Sequence, residues 1–115
     1  MHTILNAKIH RATVTDARLD YEGSITIDSD LLWVAGIAPY EQVHVNNLSN
    51  AAHWETYVIA GGPGVICLNG APARLFYPGD EVVIMSFVQL FREQVAMHKP
   101  KIVLVGEHNT IKQLA

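Results

Sequence analysis

The chain holds a single cysteine, Cys67, in 115 residues. That excludes an intrachain disulfide and any Cys-x-x-Cys metal clip. Cys67 lies within Val65-Ile66-Cys67-Leu68, an apolar setting that reads as a small buried side chain. A cysteine nucleophile needs a lowered thiol pKa and access to solvent, and this neighbourhood offers neither. Basic charge is also scarce. Eight Lys and Arg stand against 11 Asp and Glu, a net charge of −3, so there is no electrostatic footprint for nucleic acid or an anionic membrane. No apolar run approaches the ~18 residues needed to span a bilayer. The longest candidate, Val82 to Val88, suits a buried strand. No glycine-rich loop has phosphate-binding spacing, and Gly61-Gly62-Pro63-Gly64 reads as a turn. The six histidines, at 2, 10, 44, 53, 98 and 108, form no close pair along the chain and no His-Glu-x-x-His, so no metal site is expected. The first residues lack the pattern of a signal peptide, which points to the cytoplasm and leaves the sequon Asn47-Leu48-Ser49 without a use.

Half of the residues are apolar and the mean hydropathy is slightly positive. A single domain over residues 1–115 buries limited surface by itself, so a homo-oligomer that hides apolar faces between subunits is expected. Residues 3–15, rich in Ile, Thr and Val, read as a long first strand. Residues 16–22 read as a turn and Ser24 to Asp28 as a short strand. Asp28 or Ser29 is placed to cap a short helix that stops at Gly36. Glu41 to Leu48 and Trp54 to Ala60 alternate as half-buried strands, joined by a turn at 49–52. Val65 to Leu68, Glu81 to Val88 and Ile102 to Val105 complete the strands, with a turn at Asn69-Gly70, another at Pro78-Gly79-Asp80 and one short helix over 90–98. Many short strands with frequent turns indicate a mainly β chain folded as a small barrel.

Against that background, Tyr21-Glu22-Gly23-Ser24-Ile25-Thr26-Ile27-Asp28 is the segment with the most chemistry. A Gly-Ser pair by itself is a turn. It gains meaning from Lys8-Ile9-His10-Arg11 upstream, and from Thr56-Tyr57 and Asn69-Gly70-Ala71-Pro72-Ala73 downstream. In that order and at those separations the set resembles the pyruvoyl-dependent aspartate 1-decarboxylases, over most of the chain from Lys8 to about Val105. The resemblance implies self-cleavage between Gly23 and Ser24 into a short N-terminal and a longer C-terminal chain. It also implies conversion of Ser24 into a covalently bound pyruvoyl group. Physically, the Ser24 hydroxyl must attack the Gly23 carbonyl, and a residue without Cβ tolerates the crowding and strain of that step. Loss of the resulting ester as a leaving group, then hydrolysis, leaves an α-keto group at position 24. Its carbonyl takes an amino acid's amine as a Schiff base and draws electrons from the breaking C–C bond.

The resemblance further implies a double-psi β-barrel, a homotetramer with sites between subunits, and conversion of L-aspartate to β-alanine and CO2 for pantothenate and coenzyme A. Lys8 would bind substrate carboxylate, with His10 supporting it on the same strand face. Tyr57 would return a proton to the carbon that loses CO2. Thr56, Gly70, Ala71 and Pro72 would contact substrate, and Asn69 would hydrogen-bond near the cleavage point. Two positions depart from the family. Its carboxylate-binding Arg, before Phe-Ser-Thr-Tyr, is His53 before Trp54-Glu55-Thr56-Tyr57, and its pocket-side Trp is Asn46. Arg offers a permanent charge and a bidentate fork, whereas His is charged only when protonated. The readings open at this point are therefore aspartate decarboxylation, decarboxylation of another amino acid, and an uncleaved barrel acting as a binding scaffold. Cleavage proceeds either spontaneously or with a maturation helper protein.

Overall fold

The computed structural model describes every residue from Met1 to Ala115. Half of them lie in strands. In chain order the strands are β1 (His2–Thr13), β2 (Asp16–Arg18), β3 (Ser24–Asp28), β4 (Gln42–Asn47), β5 (His53–Gly61), β6 (Ile66–Asn69), β7 (Glu81–Leu90), β8 (Lys101–Val105) and β9 (Ile111–Leu114). Helix α1 (Ser29–Ala35) follows β3, and the one-turn helix α2 (Arg92–Val95) follows β7. The strands pair in the order β2-β6-β3-β5-β4-β7-β1-β8-β9. No helix is long and apolar enough to cross a membrane.

Period-two alternation determines what each strand buries. On β1, Ala7 and Ile9 are fully buried, while Lys8 and His10 face the other way, half-buried. On β4, Val43 and Val45 enter the core; on β3, Ile25 and Ile27 do. With Phe76, Leu31 and Ile84 these belong to one core of 20 side chains. Helix α1 starts where Asp28 Oδ1 accepts from the Asp30 N–H at 2.7 Å and ends at Gly36, whose φ of 70° closes the last turn.

Several expectations change in space. Residues 16–18 are not a turn: β2 runs parallel to β6, with Asp16 opposite Cys67 and Arg18 opposite Asn69. The turn expected at Asn69-Gly70 takes a 3-10 form: Asn69 ends β6 and Gly70 opens a 3-10 turn over Ala71–Arg74. The helix expected over 90–98 shrinks to Arg92–Val95. Strand β9, missed in the sequence, pairs antiparallel with β8 and is exposed throughout, so it carries no buried period to detect.

Candidate active site

Two cross-strand rows build one cavity. In the first, Arg18 on β2 faces Asn69 on β6, which faces Ser24 on β3. In the second, Asp16 faces Cys67, Cys67 faces Thr26, and Thr26 faces Ile59 on β5. All of these residues line a cavity of about 530 Å³, together with Tyr21, Glu22 and Tyr57. Tyr57 reaches it because β5 runs parallel to β3 with Ile25 opposite Val58, which sets Tyr57 beside Ser24. Its ring stacks on Tyr40 at 6.3 Å between centroids.

Ser24 is 1% exposed. Its Oγ accepts a hydrogen bond from Asn69 Nδ2 at 3.0 Å and donates to the Glu22 carbonyl at 3.4 Å, a long contact. The same Asn69 amide donates to Thr26 Oγ1 at 3.0 Å, and Asn69 Oδ1 accepts from Cys67 Sγ at 3.3 Å. Asn69 is thereby locked and orients the serine hydroxyl. Gly70 does a different job. With φ 82° and ψ −146° it occupies backbone space closed to other residues. A Cβ there would stand 2.8 Å from Gly23 Cα and 3.1 Å from the Tyr21 carbonyl oxygen. The tight contact at the Gly23–Ser24 bond therefore comes from Gly70, whereas a Cβ on Gly23 would meet nothing within 4 Å beyond its chain neighbours.

Residues that the sequence reading passed over sit in the same cavity. Arg18 Nε donates to Asp16 Oδ2 and its Nη1 donates to Tyr21 Oη, each at 2.8 Å. That hydrogen bond holds the Asp16 carboxyl below its ordinary range. The available signal was alternation: Asp16 and Arg18 lie two apart, as do Ser24 and Thr26, so each pair shares a face. Burial pushes the Cys67 thiol up, in keeping with an inert side chain.

Lys8, His10 and His53 do not line this cavity. Lys8 and His10 lie on β1, four strands from β3 in the sheet order, about 19 Å along the sheet at ordinary strand spacing. They belong to cross-strand rows that reach β5 at Glu55 and His53, on the same side of that strand as Tyr57. Lys8 faces Met85, which faces His44, which faces Glu55; His10 faces Val83, which faces Asn46, which faces His53. Desolvation and the Lys8 charge lower the pKa of His10, which keeps it neutral near pH 7. Thr56 is half-buried and shares its side of β5 with the core residue Val58, opposite to Tyr57. Ala71 and Pro72 follow Gly70 in the 3-10 turn, with Pro72 buried.

The sequence is similar to one known family over nearly its whole length. The aspartate decarboxylase family model matches residues 1–112. The chain belongs to the aspartate decarboxylase family. An aspartate 1-decarboxylase of Neisseria meningitidis serogroup C is 55% identical over 114 residues, covering 97% of this chain and 90% of the relative. Aspartate 1-decarboxylases of Geobacillus sp. and Ruminiclostridium cellulolyticum are 51% and 54% identical, over 97% and 95% of this chain and 90% and 87% of the relatives. The matched residues cover β1 to β8 and the first half of β9.

Proposed function

We propose that this chain is a pyruvoyl-dependent decarboxylase that converts L-aspartate to β-alanine and CO2, the step that supplies β-alanine for pantothenate and coenzyme A. The observation that carries the reading is the buried Ser24 hydroxyl, held by Asn69 with Gly70 packed on the Gly23 backbone. These residues fit a self-cleaving bond. Ser24 Oγ attacks the Gly23 carbonyl carbon, the peptide C–N bond breaks, and an ester with a free amine forms. Loss of the Ser24 α-proton then expels the Gly23 carboxylate. Water hydrolyses the remaining enamine, releasing ammonia and leaving the keto group at position 24. Asn69 holds the oxygen at the start of this path, and the hydroxyl proton faces the Glu22 carbonyl.

The pyruvoyl group, once made, supplies an electron sink for the carbon that loses CO2. Tyr57, beside position 24 in the cavity, is the proton donor to that carbon. Lys8 and His53 bind the substrate's carboxylate, with His10 supporting. Since Lys8 stands far from Ser24 along its own sheet, a second copy would supply it. We infer a double-psi β-barrel assembled as a cytoplasmic homotetramer, with each site shared between subunits. The exposed Trp33, Tyr40 and Phe91 are candidate interface side chains.

Denaturing mass spectrometry tests the reading. The purified protein resolves into a fragment ending at Gly23 and a larger fragment with a blocked, amine-trappable N-terminus. Ser24→Ala stays full length and inactive. Decarboxylation of aspartate by Ser24→Ala would overturn the mechanism.

A further inference from the structure

The sequence scatters its histidines, but the β4–β5 pairing gathers two of them with a carboxylate. His44 faces Glu55 across the strands, and His53 lies two residues before Glu55 on the same face of β5. We propose that His44, His53 and Glu55 form a binding site for a divalent late transition-metal ion of the zinc class.

Three observations carry this. First, His44 Nδ1 stands 3.4 Å from His53 Nε2 and 3.4 Å from Glu55 Oε1, and the three ligand atoms all lie within 4.8 Å of one another. Both 3.4 Å contacts are at the long limit for a hydrogen bond. They are the spacing of neighbouring ligands on one tetrahedral ion, since bonds of ~2.0–2.1 Å place ligand atoms about 3.3 Å apart. Second, His53 Nδ1 is 2.6 Å from Asn46 Oδ1. That oxygen only accepts, so Nδ1 carries the proton and Nε2 presents its lone pair towards His44. An outer hydrogen bond of this kind is how metal-ligating imidazoles are oriented. Third, the His44 ring is braced edge-on against Phe87 at 5.1 Å, beside a cavity of about 270 Å³ lined by Thr3, His44, His53, Met85 and Phe87. Three protein ligands next to open space leave a coordination position for water or a carboxylate oxygen. Two imidazoles and one carboxylate favour zinc, cobalt, nickel or copper over magnesium or calcium. An ion held there occupies the second ring nitrogen of His53, so a substrate carboxylate meets His53 through the ion's positive charge, on the side of the sheet that also carries Lys8.

The test titrates chelator-stripped protein with Zn2+ against a chromophoric competitor chelator, and with Co2+ followed by its visible absorption. One ion binds per chain. His44→Ala and His53→Ala each weaken Zn2+ binding by at least about tenfold and abolish the Co2+ spectrum, and Asn46→Ala weakens it by roughly tenfold, the usual size of an outer-shell loss. His108→Ala, outside the cluster, leaves binding unchanged, and circular dichroism confirms that each variant is folded. Absence of stoichiometric binding, or equal affinity in folded His44→Ala, overturns the proposal. The readout uses neither cleavage nor decarboxylation, so it fails or succeeds separately from the enzymatic reading.

Discussion

Gly70 and Asn69 act on Ser24 in different ways, and substitution separates them. Gly70→Ala places a methyl group against the Gly23 backbone in a conformation that costs ~1–3 kcal/mol for a residue with Cβ. The expected result is a less stable chain in which cleavage is slowed or absent, read by intact mass and thermal melting. Parental cleavage in Gly70→Ala would show that the close contact plays no part. Tyr57 belongs to turnover rather than to maturation. Tyr57→Phe should cleave normally and lose ~10²-fold or more in kcat, the size of a general-acid contribution. Both outcomes can be read in one preparation, because fragment masses and product formation report separately. Of these residues, Ser24, Tyr57 and Asn69 were legible in the sequence through the family's motifs. Arg18 and Asp16 were not, because residues 16–22 read as a turn, which leaves their two-residue spacing without a strand to give it meaning.

At the scale of elements, the segment from Ala71 to Asp80 is held to the sheet by Asn47 at the end of β4. Asn47 is buried, and its Nδ2 donates to the Leu75 carbonyl at 3.0 Å and to Asp80 Oδ2 at 2.8 Å. Asp80 Oδ2 also accepts from the Tyr77 N–H at 3.0 Å. These bonds to its charged form, the Asn47 one foremost, lower the Asp80 pKa below its ordinary 3.8. A carboxylate with a depressed folded pKa contributes stability that is present above the unfolded value and lost as pH falls through the folded one. Urea midpoints should therefore drop more steeply below pH 4 in the parent than in Asp80→Asn. Identical acid slopes would remove Asp80 from that role. Asn47→Ala should cost about 1–3 kcal/mol, since it strips partners from buried polar groups. An unchanged urea midpoint would contradict it. The Asn47-Leu48-Ser49 triplet that reads as a sequon is thus a turn anchor, with Asn47 Oδ1 accepting from the Ser49 N–H at 2.9 Å.

The cavity around Ser24 and the His44–His53–Glu55 cluster share one side of β5, with Tyr57 and Ile59 at one end and His53 and Glu55 at the other. If one copy supplies Ser24 and another supplies Lys8, then Ser24→Ala and Lys8→Ala should each be inactive alone. Co-assembled, they should regain activity, because some sites then combine an intact Ser24 with an intact Lys8. No recovery in verified mixed oligomers would place both residues' work within one chain. The sequence by itself determined the strand periods, a short helix that begins at Asp28 or Ser29 and stops at Gly36, and the Gly23-Ser24 motif with its family. All of these are local patterns, set by alternation and by residue chemistry. Only the tertiary structure decided that Asn69 faces Ser24 and Arg18, that Gly70 touches Gly23, and that His44, His53 and Glu55 meet. Those contacts depend on strand register, and a slip of one residue would turn each side chain to the opposite face.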